Sequence, residues 1–346
     1  MNGKSLALLG LLLPALAQAQ GYGGLAAPAP GFEAPKPGTP IVFPKDHGPH
    51  PSFRTEWWYL TANLKGADGA QYGVQWTLFR HALEPGDGKG WDDRNVFMAH
   101  AAATSAARHD FAQTMARGGV GQAGVMAAPF SAQIDDWFFT AKDENFTSAR
   151  VFAQGPHFSY RLDLTRQGPF VLQGDAGFSL KSTAGQASHY YSAPFLAVEG
   201  TLAFDGRDIR VAGRAWMDRE WSSQSLAPDQ KGWDWFSLHL ASGDKAMIYR
   251  LRGARTYLSG NWIAPDGTTS VLAGDDISLT PLDHVAIDGK SLPIRWRLRV
   301  KSRGLDVETA PLNPKSWMGT ALSYWEGPIA LAGSQRGEGY LEMTGY

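Results

Sequence analysis

Two runs dense in aromatic and aliphatic side chains, residues 55–64 and 72–80, flank the polar segment Lys65-Gly66-Ala67-Asp68-Gly69. Strand-length apolar runs around a glycine-bearing turn predict an antiparallel hairpin. Similar runs recur at 158–164, 178–180, 200–204, 209–216, 236–240, 247–251 and 294–300. Asp266-Gly267 and Asp288-Gly289 supply turns among them. Residues 96–107 are rich in alanine and fit either a helix or a strand edge. Helical periodicity is otherwise absent, so the pattern predicts an all-β chain.

The pattern also repeats. Trp58-Tyr59, Leu64 and Arg80 are echoed by Trp235-Phe236, Leu240 and Arg252. Glu199-Gly200-Thr201-Leu202-Ala203 is echoed by Glu326-Gly327-Pro328-Ile329-Ala330. An internal duplication follows: two halves, each an antiparallel β-barrel or sandwich large enough to enclose one ligand. The polar stretch 222–231 marks the break, giving an N-terminal domain over 41–221 and a C-terminal domain over 222–346.

Ahead of them, residues 1–19 combine Lys4, a Leu/Ala run too short to span a bilayer, and the small-x-small site Ala17-Gln18-Ala19. This reads as a signal peptide. The mature chain would begin at Gln20 and be exported, to the periplasm or beyond. Residues 20–40, mostly Gly, Ala and Pro, read as an extended linker outside the core.

Composition narrows the chemistry. Gly 40, Trp 13, Tyr 11 and Phe 17 fit turn-rich β-structure. Lys+Arg 32 against Asp+Glu 33, with no basic run, leaves no electrostatic footprint for nucleic acid. Cys 0 removes disulfides, thiolate nucleophiles and Cys-ligated metals. Gly119-Val120-Gly121-Gln122-Ala123-Gly124 matches a dinucleotide fingerprint by letter, but no clear strand precedes it and Pro129 follows soon after. His47 and His50 lie close together without an indicated third ligand. No metal or cofactor is expected.

Polar residues set among aromatics are more informative. If 214–221 is a strand, Trp216, Asp218 and Glu220 share one face, while Met217, Arg219 and Trp221 share the other. A carboxyl beside aromatics and a second carboxylate has a raised pKa, which suits a general acid. The competing reading is a buried ion-pair network: Asp218 or Glu220 with Arg214 or Arg219, or Glu56 with Arg80.

Several blocks together resemble the AttH-like, or carotenoid 1,2-hydratase (hydroxyneurosporene synthase), superfamily. They are Phe53-Arg54-Thr55-Glu56-Trp57-Trp58-Tyr59, Gln75-Trp76-Thr77-Leu78-Phe79-Arg80, Ala215-Trp216-Met217-Asp218-Arg219-Glu220-Trp221, Tyr324-Trp325-Glu326-Gly327 and the terminal Gly339–Tyr346. The resemblance runs from about residue 41 to the end, within a secreted branch often labelled a secreted hydrolase. It implies two lipocalin-like domains. It also implies a site: His189 and Asp218 match the hydratases' His-x-Trp and Tyr-x-Asp segments, with Tyr191 in place of the Trp and Trp216 in place of the Tyr. In that family the Asp protonates an isolated alkene. Tyr191 and Trp216 would then stabilise the cation and His189 would orient water. Glu56, Trp58, Arg80 and Glu220 would bind ligand or support the site.

The leading expectation is therefore an exported protein that holds a bulky apolar, isoprenoid- or lipid-like small molecule and hydrates it as a lyase. Two alternatives stay open. One is a non-catalytic lipid carrier serving an envelope transport system, with peripheral membrane contact. The other is a hydrolase using Asp218 with Glu220 or Glu56.

Overall fold

The computed structural model describes residues 22–86, 88–204 and 206–346; the predicted signal segment 1–19 lies outside them. The first sheet contains β1 (Thr55–Gly66), β2 (Gln71–Ala82), β3 (Asn95–Ser105), β4 (His109–Arg117), β5 (Ala123–Ala127), β6 (Phe130–Ile134), β7 (Trp137–Ala141), β8 (Ser148–Gly155), β9 (Phe158–Arg166), β10 (Val171–Leu172), β11 (Phe178–Leu180), β12 (Ala187–Phe204) and β13 (Arg207–Ser222). The second contains β14 (Gly232–Leu240), β15 (Lys245–Arg252), β16 (Tyr257–Ile263), β17 (Thr269–Leu272), β18 (Ile277–Ile287), β19 (Lys290–Val300), β20 (Leu305–Pro311), β21 (Trp317–Met318), β22 (Tyr324–Gly333) and β23 (Gly337–Thr344). The fold is all-β, and the alanine-rich segment is strand β3. The first sheet curls into a nearly closed barrel and the second into a half-barrel, consistent with two lipocalin-like domains.

Strand order carries the duplication. The first sheet runs β4-β3-β2-β1-β13-β12-β9-β8-β7-β6-β5, and the second runs β17-β16-β15-β14-β23-β22-β20-β19-β18. In each, the last strand returns beside the first, and short strands pair with the penultimate one. The match by letters is one residue out of step, however. Trp58 and Phe236 fill the two sheet interiors, whereas Tyr59 and Trp235 belong to the core between the sheets. A slip of one residue turns every side chain to the opposite face, so letter matching misaligns the halves.

β1 is buried on both faces. Trp58, Leu60, Ala62 and Leu64 pack inside the barrel. Tyr59, Thr61 and Asn63, also buried, alternate with them and face the second sheet. There Asn63 Nδ2 donates to the Gly339 carbonyl at 2.9 Å, and the Tyr340 hydroxyl donates to the Val74 carbonyl at 3.1 Å. Gly73 permits this approach: a Cβ there would stand 2.6 Å from Pro328 Cγ and from Tyr340 Oη.

The expectation of an extended linker outside the core over 20–40 is corrected for the residues described. Residues 22–40 form a strap on the molecule. Ala26 is buried. The Arg54 guanidinium donates to the carbonyls of Ala27, Pro28 and Gly24 at 2.9, 3.0 and 3.3 Å. Leu226 N–H donates to the Leu25 carbonyl and the Tyr22 hydroxyl to the Leu322 carbonyl. The strap is thus held by its backbone carbonyls together with Tyr22, Leu25 and Ala26, which pack into the core between the sheets.

Candidate functional site

β13 alternates as a strand should. Trp216, Asp218 and Glu220 point toward the second sheet, and Met217, Arg219 and Trp221 toward the barrel. Directly opposite on β12 stand Ser192 against Asp218 and Tyr190 against Glu220; on β1 stand Tyr59 against Asp218 and Trp57 against Glu220. Trp57, Tyr59, Tyr190, Asp218 and Glu220 border a cavity of about 410 Å³ between the sheets, closed on another side by Trp235, Tyr249 and Glu342.

Asp218 is 2% exposed. Its Oδ1 accepts the Trp216 indole N–H at 2.9 Å and the Ser192 hydroxyl. Its Oδ2 makes no hydrogen bond of good geometry among the described residues, although the Tyr190 hydroxyl is near enough to Asp218 to lower its pKa. Burial pushes the carboxyl up to about 7; the donors on Oδ1 oppose this without cancelling it, and the Glu220 charge adds to it. Glu220 is tied to Lys181 at 2.8 Å and accepts the Ser188 hydroxyl. Burial disfavours the Lys181 charge, but the Glu220 carboxylate outweighs it and holds the ammonium pKa above its ordinary value. Lys181 Nζ also lies 4.9 and 4.5 Å from the ring centres of Tyr190 and Tyr249.

The second sheet adds two acids that sequence reasoning missed as site residues. Glu326 on β22 and Glu342 on β23 are cross-strand partners. Glu342 accepts the Trp233 indole N–H at 2.5 Å. Burial pushes it up to about 7, and the charges of Asp218 and Glu220 push the same way. Glu326 accepts the Tyr59 hydroxyl. Burial, then Glu342, raises it well above the usual carboxylate range. A signal existed: each glutamate interrupts an aromatic-rich strand, as Asp218 does.

The other expected residues lie across the sheet. Glu56 pairs with Arg80 and Arg219. Burial would raise its pKa, but the two guanidiniums overcome this and hold it far below the ordinary value. Glu56 and Arg80 also border the cavity, yet their charged ends are committed to each other. The Arg219 guanidinium lies 3.9 Å from the Trp58 ring centre, and Trp58 Nε1 donates to the His47 carbonyl at 2.9 Å. Trp58 thus belongs to the barrel interior.

His189 and Tyr191 require a correction. On β12 they oppose Trp221 and Arg219, on the barrel side, so neither shares a face with Asp218. The His189 ring packs against Trp221 and Phe53, with centroids 5.4 and 5.8 Å away. The Tyr191 hydroxyl bonds to His47 Nδ1 at 2.7 Å. The cause is one bulge. From the hairpin end, β12 and β13 pair as Leu202 with Ile209 and Leu196 with Ala215; the register then shifts between Ala193 and Leu196. The intervening Pro194 cannot donate to the ladder. Without that shift, counting from the turn puts His189 and Tyr191 on the Asp218 face. Trp216 is on that face, but its indole N–H is spent on Asp218. The rings that face the cavity instead include Trp57, Tyr59, Tyr190, Trp235 and Tyr249.

His50 stacks on Trp221, ring centres 3.9 Å apart, and bonds to Glu56 and Asp46. Among the described residues, no group of three or more His, Asp or Glu is placed to hold a metal ion.

A family model described as AttH-like matches residues 34–346. A crystal structure from Nitrosomonas europaea, named as an AttH candidate, superposes with a TM-score of 0.82 at 32% identity, covering 91% of this chain and 99% of that one. Kievitone hydratase from Nectria haematococca superposes with a TM-score of 0.69 at 15% identity, covering 91% of this chain and 97% of that one, a likeness of fold. No curated protein matches the sequence.

Proposed function

The chain belongs to the AttH-like family, and from that membership and the cavity between its sheets we propose an exported, hydratase-type lyase acting on an alkene of a bulky apolar ligand. The observation that carries this reading is Asp218. It is a buried carboxyl with a pKa raised to about 7, in the wall of an aromatic cavity, whose Oδ2 makes no hydrogen bond of good geometry among the described residues. An acid that is half neutral at working pH can donate a proton; one ionised near pH 4 cannot. The alkene π pair takes that proton, forming a C–H bond and a tertiary carbocation; water then forms the C–O bond and gives up one proton, leaving the alcohol. Trp235 and Trp57 line the same cavity and offer aromatic rings to such a cation, a contribution of about 0.5–2 kcal/mol each; the Tyr190 ring is already engaged by the Lys181 ammonium.

A carrier reading is favoured by the cavity rim. Leu83 and Met115 line the cavity and are 61% and 50% exposed. Apolar exposure at a mouth suits transfer of a lipid to or from a membrane surface or an envelope transport partner. The test separates the readings. The purified chain is incubated with acyclic isoprenoids bearing a terminal trisubstituted alkene, in deuterium oxide. Hydration gives an alcohol with one deuterium on carbon. Tight binding with the alkene returned unchanged supports the carrier. Cleavage of ester analogues instead supports a hydrolase.

A further inference from the structure

Each half of the duplication sets one carboxyl at the same place in its sheet. β1 and β13 bring Tyr59 opposite Asp218, and β14 and β23 bring Trp235 opposite Glu342. Each acid accepts an indole N–H, from Trp216 and from Trp233. Tyr59 and Trp235 meet edge to face, with ring centres 5.5 Å apart. Both acids border the one cavity.

Hydration needs a proton acceptor as well as a donor. Once Asp218 has protonated carbon, the attacking water must lose a proton. Glu220 is poorly suited, because its charge is already paired with the buried Lys181 ammonium at 2.8 Å, whereas Glu342 has a neutral indole donor. Glu326 lies behind Tyr59, whose hydroxyl it accepts. Resting on the hydratase reading, we propose that Glu342 is the general base of the reaction, taking the proton from the water that attacks the carbocation. The alkene π pair forms the C–H bond with the Asp218 proton. The water oxygen forms the C–O bond, and its proton passes to the Glu342 carboxylate. Alkene and water give alcohol, and one proton has moved from Asp218 to Glu342. Solvent returns it after product release.

The charged and titratable groups around the pair are Lys181 and Glu220 on the β11 and β13 side, Tyr190 on β12, Tyr59 on β1, Tyr249 on β15, Glu326 and Tyr324 on β22, and Tyr22 on the strap. Two like-charged acids in one low-dielectric cavity favour a state with a single proton between them. The productive form, with Asp218 protonated and Glu342 ionised, therefore exists between two macroscopic ionisations. The rate traces a bell, its acid limb from Glu342 and its alkaline limb from Asp218.

The test uses the full chain and the isoprenoid alkenes above. Glu342→Gln should lower kcat about 10²–10⁴-fold and flatten the acid limb, with KM little changed. Glu342→Ala should regain activity when formate is added, because a small carboxylate can occupy the vacated space. Glu342→Gln with wild-type kcat and both limbs intact overturns the proposal, as does a folded Glu342→Ala that formate does not rescue. If Asp218→Asn is inactive in the same assays, the hydratase reading survives that failure. A wild-type chain that hydrates none of the alkenes contradicts the reading and the base together, and shows this before any variant is made.

Discussion

Asp218 and Glu56 are both buried acids of the first sheet, and their surroundings send them opposite ways. Glu56 faces two guanidiniums; Asp218 faces aromatic rings and another carboxylate. Replacing Glu56 with Gln leaves Arg80 and Arg219 buried without their anion. Loss of about 3–5 kcal/mol is expected, read by urea unfolding; a loss below 1 kcal/mol would contradict the pairing. The pH dependence follows from the signs. The lowered pKa of Glu56 gives stability that is present above the ordinary carboxyl range and lost as pH falls below it. The raised pKa values of Asp218 and Glu342 do the reverse. Between about 4 and 7 the native state keeps protons that the unfolded chain gives up, so stability falls as pH rises through that window. Thermal melting should peak on the acid side of neutrality, and Asp218→Asn should shallow the decline between about pH 4 and 7. An unchanged decline in that variant would argue against a raised Asp218. At this scale the sequence was legible where the rule is local. Alternation along 216–220 placed Asp218 and Glu220 on one face without knowledge of any partner strand.

At the scale of elements, strands were legible and their registers were not. Alternation within β12 holds, but a bulge at Pro194-Phe195 is revealed only by the pairing with β13. That one-residue shift moved His189 and Tyr191 away from Asp218. The strap escaped detection for a related reason: a Gly/Ala/Pro segment has no periodicity, and its attachment rests on distant partners, among them Arg54 reaching three carbonyls and the core packing of Tyr22, Leu25 and Ala26. Tyr22, Gly23 and Leu25 of the strap line the cavity, so it acts as a wall. Arg54→Ala should loosen that wall and speed escape of a bound apolar fluorophore several-fold in stopped-flow dilution. An unchanged escape rate would show that ligand leaves by the Leu83 and Met115 rim alone.

For the whole molecule, the duplication read from letters was real in topology but misaligned by one residue, because letters do not report which face a side chain takes. The interface explains why two halves stay joined. Tyr59 with Glu326, Asn63 with Gly339 and Tyr340 with Val74 are buried bonds between sheets, and breaking them would strand polar groups. The connection between the halves buries Leu226, Ala227 and Gln230. Amides of β1 and β23 should therefore exchange with one common opening free energy; two separate values would contradict a shared core. The cavity exists only between the sheets, and its central claim is that Asp218 supplies the proton. The direct measurement pairs turnover with affinity in Asp218→Asn, which keeps shape and removes the titrating proton. Alkene hydration should fall by about 10²–10⁴-fold while ligand affinity stays within a few fold of wild type; hydration at the wild-type rate in a folded Asp218→Asn protein would contradict it.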